Sequence, residues 1–198
     1  KNFVVKEENI VVGNGAAELI KSMMSELRGK LGIIRPTFEE YSHRYAEKHI
    51  VDFWPNNEGF KYTVADLISF FGENRVDNLI LINPDNPTGN YLQKNEIIEL
   101  ICWTKKQNIN LVVDESFVDF ADEQDSSVID KDILESNTHL YVIKSISKSH
   151  GVPGIRLGVL ASGNLEVISR IKKDVAIWNI NSFGEFYLQI AEKYKSDY

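Results

Sequence analysis

Cysteine is almost absent: Cys102 is the only one in 198 residues. A single thiol makes no internal disulfide, which excludes a secreted cystine scaffold. Basic charge is scarce too, with 22 Lys and Arg against 29 Asp and Glu and a net charge of −7. A general nucleic-acid binder needs a basic face, and this balance argues against one. Apolar runs fall well short of the ~18 residues that cross a bilayer, and no secretory leader pattern stands at the start. A cytoplasmic location without membrane or nucleic-acid partners is expected. The histidines, His43, His49, His139 and His150, lack metal-ligand spacing, so no metal site is read. Proline, glycine and serine do not gather into a linker, and there is no repeat, so residues 1–198 read as a single domain. An opening Met is missing as well. The chain starts Lys1-Asn2-Phe3 and stops at Ser196-Asp197-Tyr198 inside a helical pattern, so a piece of a longer protein is expected.

What is present is alternation. Apolar runs at 9–12, 31–35, 49–54, 79–82, 111–113, 140–143 and 157–160 predict strands. Helical spacing predicts helices over 16–27, 37–46, 63–71, 95–106, 164–172 and 182–194. Thr37 with Glu40, and Thr63 with Asp66, read as capping boxes. The run at 79–82 has no polar alternation, as expected of a strand buried on both faces. The order predicts an α/β fold of three layers, doubly wound around a mostly parallel sheet. Ligands of such sheets sit beyond the carboxyl ends of the strands.

The segments at those ends carry chemistry. Gly13-Asn14-Gly15-Ala16-Ala17-Glu18 leads into a helix. Small residues let backbone N–H groups approach an anion, and the helix N-terminus adds partial positive charge. Glu18 stands where a dinucleotide fingerprint needs a third Gly, and no Gly-Lys-Ser/Thr follows, so neither that fingerprint nor a Walker loop is read. A plain tight turn accounts for the segment equally well. Phe38, in Pro36-Thr37-Phe38, either stacks on a planar ligand or fills the core. Asn83-Pro84-Asp85-Asn86-Pro87-Thr88-Gly89 is a constrained loop that would present the Asn86 amide. Asp114-Glu115 ends a buried strand, a costly place for a carboxylate unless it is paired or serves as an N-cap. The stretch from Lys144 to Gly158 is the most informative. A desolvated Lys148 suits Schiff-base chemistry. Ser145, Ser147 and Arg156 suit phosphate. Lys148 alone would be an ordinary solvated lysine, but the strand-end groups together fit one ligand.

These segments, in this order from residue 13 to 158, resemble the large domain of fold-type-I pyridoxal phosphate enzymes, within the class I/II aminotransferases. Histidinol-phosphate aminotransferases and threonine-phosphate decarboxylases are nearest in pattern. The resemblance implies pyridoxal phosphate as cofactor. Lys148 would hold it as a Schiff base and then move a proton. Asp114 would pair with the pyridinium nitrogen, Asn86 would bond the ring O3′, and Phe38 would stack on the ring. Gly15, Ala16, Ala17, Ser145, Ser147 and Arg156 would form the phosphate cradle. A small amino-acid-like substrate, a keto-acid co-substrate and a homodimer are implied. Residues 181–198 would begin a connector helix toward a small domain that holds the substrate carboxylate.

One departure stands out. The fourth residue of the Asp-Glu-x-aromatic motif is Phe117, where aminotransferases commonly carry a Tyr that also bonds O3′. Phe117, the Val152 to Gly158 stretch and Trp178-Asn179-Ile180-Asn181 lean toward the decarboxylases. Transamination of a small substrate, with or without phosphate or phosphonate, is the first expectation. Decarboxylation of a phosphorylated amino acid is the second. A non-catalytic cofactor-sensing module of a fused protein is the third.

Overall fold

The structure, a computed structural model, describes residues 5–123, 125–191, 193 and 194. Among these, seven strands form one sheet: β1 (Ile10–Gly13), β2 (Leu31–Ile34), β3 (Ile50–Phe53), β4 (Asn78–Ile82), β5 (Asn110–Asp114), β6 (Leu140–Ser145) and β7 (Gly158–Ser162). Their order is β1-β7-β6-β5-β4-β2-β3. Strand β7 runs antiparallel to β1 and β6, and the remaining pairings are parallel. The helices are α1 (Ala16–Glu26), α2 (Val64–Glu73), α3 (Lys94–Gln107), α4 (Lys131–Ser136), α5 (Ile146–Ser149), α6 (Leu165–Asp174) and α7 (Ser182–Ala191).

The central strands are apolar throughout because both faces are covered. Leu79, Leu81, Leu111 and Val113 point to one side, against Leu67 and Phe71 of α2 and Ile97, Leu100 and Ile101 of α3. Ile80, Ile82, Val112 and Ile143 point to the other, against Leu19, Ile20 and Met23 of α1 and Ile168 and Ile171 of α6. Successive side chains alternate across a strand, so a strand filling two cores shows no polar alternation. The expected doubly wound sheet is therefore present.

The Thr63 capping box is also present. The Asp66 amide donates to Thr63 Oγ1 at 3.3 Å, and the Thr63 amide donates to Asp66 Oδ2 at 2.8 Å. The other expected box is not. Residues 37–46 form no α-helix; short 3-10 turns occupy Ser42–Arg44 and Glu47–His49. Glu39 and Glu40 are instead engaged by Arg35 and Arg44, and Tyr41 is drawn inward to Asp114. The long-range bond of Tyr41 to Asp114, 73 positions away, is the tertiary contact here that competes with a modest helix propensity.

Helix α7 starts where the periodicity puts it and ends at Ala191. Residues 192 and 195–198, within the expected connector, lie outside the described residues. Tyr187 faces inward, whereas Phe183 and Phe186 stand 81% and 60% exposed. The apolar face of this helix is thus largely turned to solvent. Helix α4, which the sequence pattern did not predict, starts on a local cap, with Asp130 Oδ1 accepting the amides of Asp132 and Ile133.

Candidate active site

The parallel strands end along one edge of the sheet, and the motif residues meet there. Asp114, the last residue of β5, is 4% exposed. A buried carboxylate needs donors. Oδ1 accepts the Ser116 amide at 2.9 Å, and Oδ2 accepts the Tyr41 hydroxyl at 2.7 Å. Tyr41 is fully buried, and burial together with the Asp114 charge pushes its phenol well above the usual range. It therefore stays protonated and donates. Nothing in the local sequence marked Tyr41 as part of the site; its pairing with Asp114 spans 73 positions.

Lys148 lies in the single helical turn α5, which follows β6 directly. Its Nζ stands 4.0 Å from the centroid of the Phe117 ring and 5.8 Å from that of Phe38. Partial burial lowers its pKa from the ordinary 10.5, while the charge of Asp114 works in the opposite direction. A lysine flanked by two aromatic faces keeps attraction for its cationic form without a partner carboxylate in contact. The structure thus brings Lys148, Asp114, Phe38 and Phe117 together as the sequence predicted.

The turn before α1 forms a cradle. Gly15 has φ +89, a conformation that side chains rarely adopt. A Cβ there would overlap the Arg156 guanidinium, so Arg156 lies against the bare backbone of Gly15. A Cβ at Gly158 would strike the backbone of Gly15 and Ala16, so β7 packs directly under the start of α1. The Asn14 amide is taken by Glu18 Oε2 at 2.7 Å. Ala16 and Ala17 open the helix, where amides have no intrahelical acceptor. Arg156 and a helix N-terminus meeting over a glycine suit a phosphate.

The two serines differ. Ser145, at the end of β6, is 7% exposed, and its amide donates to Ser116 Oγ at 3.1 Å. The Ser147 hydroxyl donates to the Leu157 carbonyl at 3.3 Å and accepts the Leu157 amide at 2.8 Å. Its single proton is engaged there. In this arrangement Ser147 braces α5 against the chain entering β7.

The loop after β4 is held by its other polar residues. Asn83 exchanges two bonds with the Leu92 backbone, at 2.9 and 2.8 Å. Its own amide reaches the Asp114 carbonyl at 2.9 Å. Thr88 bonds Asp85, and the Asp85 amide reaches the Asn90 carbonyl at 2.8 Å. The Asn83–Pro84 and Asn86–Pro87 peptides are cis. Asn86 is left half-buried on the wall of a cavity of about 450 Å³ that Phe117 also lines.

Beneath the site lie acids that the motifs did not assign. Glu115 is fully buried and is pushed up to about 7 by burial, opposed by donors from Ser127 Oγ at 2.5 Å and the Val128 amide at 2.7 Å. Lys144 Nζ bonds Asp119 at 2.6 Å, tying the turn after Phe117 to β6. Among the described residues no cluster of metal-ligating side chains is present.

The residues present fit the cofactor that the motifs imply. A glycine-backed turn against Arg156, a buried carboxylate, a lysine of lowered pKa and aromatic faces near that lysine are all present in the segments that follow the strands.

Comparison with known proteins agrees. Over 190 residues the chain is 30% identical to the CMP-5'-(3-aminopropyl)phosphonate synthase of Streptomyces rubellomurinus, covering 96% of this chain and 30% of that protein. Over 194 residues it is 31% identical to the L-serine phosphate decarboxylase of Sulfurospirillum multivorans, covering 94% of this chain and 48% of that protein. The crystal structure of the histidinol-phosphate aminotransferase from Clostridium acetobutylicum superposes with a TM-score of 0.76 at 31% identity, covering 90% of this chain and 52% of that one. The chain thus spans between 30% and about half of the length of these relatives. Residues 2–191 match the family model described as aminotransferase class I and II, and the chain belongs to that family.

Proposed function

We propose that this chain carries the pyridoxal phosphate centre of an aminotransferase that acts on a small amino substrate, phosphate- or phosphonate-bearing ones included, with a keto acid as co-substrate. The family depends on pyridoxal phosphate. When bound, that group supplies an electron-poor ring that accepts electrons from a broken Cα bond. Lys148 would attach it, and Asp114 would keep its ring nitrogen protonated. Phe38 would cover one face and Asn86 would bond O3′. Gly15, Ala16, Ala17 and Arg156 would hold its phosphate, with Ser145 and Ser147 beside them. A homodimer in the cytoplasm is the setting we expect for the intact protein.

The observation that carries this reading is Lys148. Its amine stands near the charge of Asp114 and between two aromatic rings, with its pKa lowered by burial. Moving a proton from Cα requires an amine that can exist unprotonated at working pH. In the test, the intact protein is incubated with pyridoxal phosphate and reduced with borohydride, then digested. The expected result is a label on the Lys148 peptide and none after Lys148→Ala. A label on a different lysine in the unaltered protein refutes the assignment.

A second reading, decarboxylation of a phosphorylated amino acid, is favoured by Phe117, which brings no hydroxyl to the site. The Sulfurospirillum relative, named a decarboxylase of L-serine phosphate, supports it. Assays of the intact protein for carbon dioxide release, and for keto product with an amino donor, separate the two.

A further inference from the structure

Tyr41 is a core residue with a polar end aimed at the cofactor site. Its ring packs among Ile33, Ile80 and Ile82 on the α1 side of the sheet. Its hydroxyl reaches Asp114 Oδ2 at 2.7 Å, while the Ser116 amide takes Oδ1. A phenylalanine would fill the same core volume, so the hydroxyl is explained by the carboxylate and not by packing. The same short segment carries Phe38, whose ring lies 5.8 Å from Lys148 Nζ. One stretch of backbone therefore supplies both the ring-stacking face and the donor to the carboxylate.

We propose that Tyr41 is a positioning residue: its hydroxyl holds the Asp114 carboxylate in place toward the cofactor ring nitrogen, and so sets how far that nitrogen stays protonated. The proposal rests on the pyridoxal phosphate reading of the site. A carboxylate stripped of one donor becomes more basic. Without the Tyr41 hydroxyl, a proton shared between Asp114 and the ring nitrogen shifts toward Asp114. The ring then withdraws fewer electrons, and the visible band of the bound cofactor titrates at higher pH. The charged or titratable groups facing Asp114 are Tyr41 and Lys148, and Glu40 also acts on Tyr41.

The test uses the intact protein and two readouts, pyridoxal phosphate affinity and the pH midpoint of the visible band. Tyr41→Phe is expected to weaken binding about tenfold, the scale of one hydrogen bond to a charged group, and to raise the midpoint. In an Asp114→Asn background the same substitution should change affinity less than about twofold, because the effect passes through the carboxylate. Tyr45→Phe, which removes only a bond to the Gly29 carbonyl, should leave both readouts unchanged. Difluorotyrosine at position 41 keeps the ring and bond, donates more strongly, and should lower the midpoint. This arm reads the effect even where Tyr41→Phe impairs folding.

Unaltered affinity and midpoint in Tyr41→Phe, or an equal loss with and without Asp114, overturns the proposal. An unmodified protein that takes up no pyridoxal phosphate overturns the cofactor reading itself, and this inference with it.

Discussion

The phosphate cradle we propose depends on one missing methyl group, and Gly15→Ala tests it. Gly15 sits at φ 89 and ψ 158, a region that essentially only glycine occupies. Holding an alanine there costs about 1–3 kcal/mol. The new Cβ would also overlap the Arg156 guanidinium. That group is the far end of a flexible, exposed side chain, so it moves aside and the fold survives. Arg156 then leaves the cradle. Losing its charge-assisted bonds to a phosphate is worth about 1.5–3 kcal/mol, roughly ten- to a hundredfold in affinity. Paired thermal melts of the intact protein separate the two effects. Without cofactor, the variant melts a few degrees lower, about what 1–3 kcal/mol produces. With pyridoxal phosphate at about 100 times the wild-type Kd, the wild type gains about 2.7 kcal/mol by linkage. A tenfold weaker variant gains about half of that, so the gap between the melts widens. Gly158→Ala makes the contrast, because its Cβ would meet backbone of Gly15 and Ala16 that has no flexible end to move. Its deficit should already be full without cofactor. Equal cofactor-induced stabilisation of Gly15→Ala and wild type would show that Arg156 at Gly15 does not hold the phosphate.

Two further outcomes follow from the same geometry. Restoring a hydroxyl with Phe117→Tyr should lower the pH midpoint of the bound cofactor's visible band, because a new donor at O3′ favours loss of the shared proton; an identical titration sinks the idea. Glu115 is pushed from an ordinary 4.5 up to about 7 by burial. The fold therefore favours its protonated form. That contribution is complete below about 4.5 and is lost as pH rises through about 7. Compared with Glu115→Gln, the wild type should lose on the order of 3 kcal/mol of relative stability between about pH 4 and 8. Denaturant midpoints that stay parallel across that range would show that Glu115 does not titrate as argued.

What the sequence made legible was local. Runs such as Leu79-Ile80-Leu81-Ile82 read as strands covered on both sides, and they are. The rule that ligands gather at strand ends then pointed to Asp114, Lys148 and the turn before α1 without any coordinates. What it hid was the bonding between those ends. The capping pattern at Thr37 and Glu40 is a genuine local preference, yet the segment adopts 3-10 turns, with Tyr41 drawn inward to Asp114 on β5. The same bond concealed Tyr41, since a tyrosine three residues after Phe38 looks like any core aromatic until the strand carrying Asp114 is placed beside it. Ser147 is a related case: nothing local marks its bonds to the Leu157 backbone ten residues on, which only the fold brings within reach.

The cations near the centre divide by their commitments. Arg35, just past β2, would be the natural candidate to grip a substrate carboxylate. Its Nε instead bonds Asp52 at 2.7 Å and its Nη1 bonds Glu39 at 2.9 Å, with the side chain 14% exposed. Lys144 is tied to Asp119 at 2.6 Å. Arg156 lies on Gly15, where a phosphate would sit. Lys148 instead stands by two aromatic rings, its Nζ 4.0 Å from the Phe117 centroid and 5.8 Å from that of Phe38. An arginine already paired with two carboxylates gains little by exchanging them for a mobile ligand. Recognition of a substrate carboxylate thus calls for a cation other than Arg35, Lys144 and Arg156. The chain spans at most about half of the length of the relatives described above. In our reading the cofactor chemistry is concentrated in these residues, and substrate choice is made by groups that approach the cleft from the rest of the intact protein.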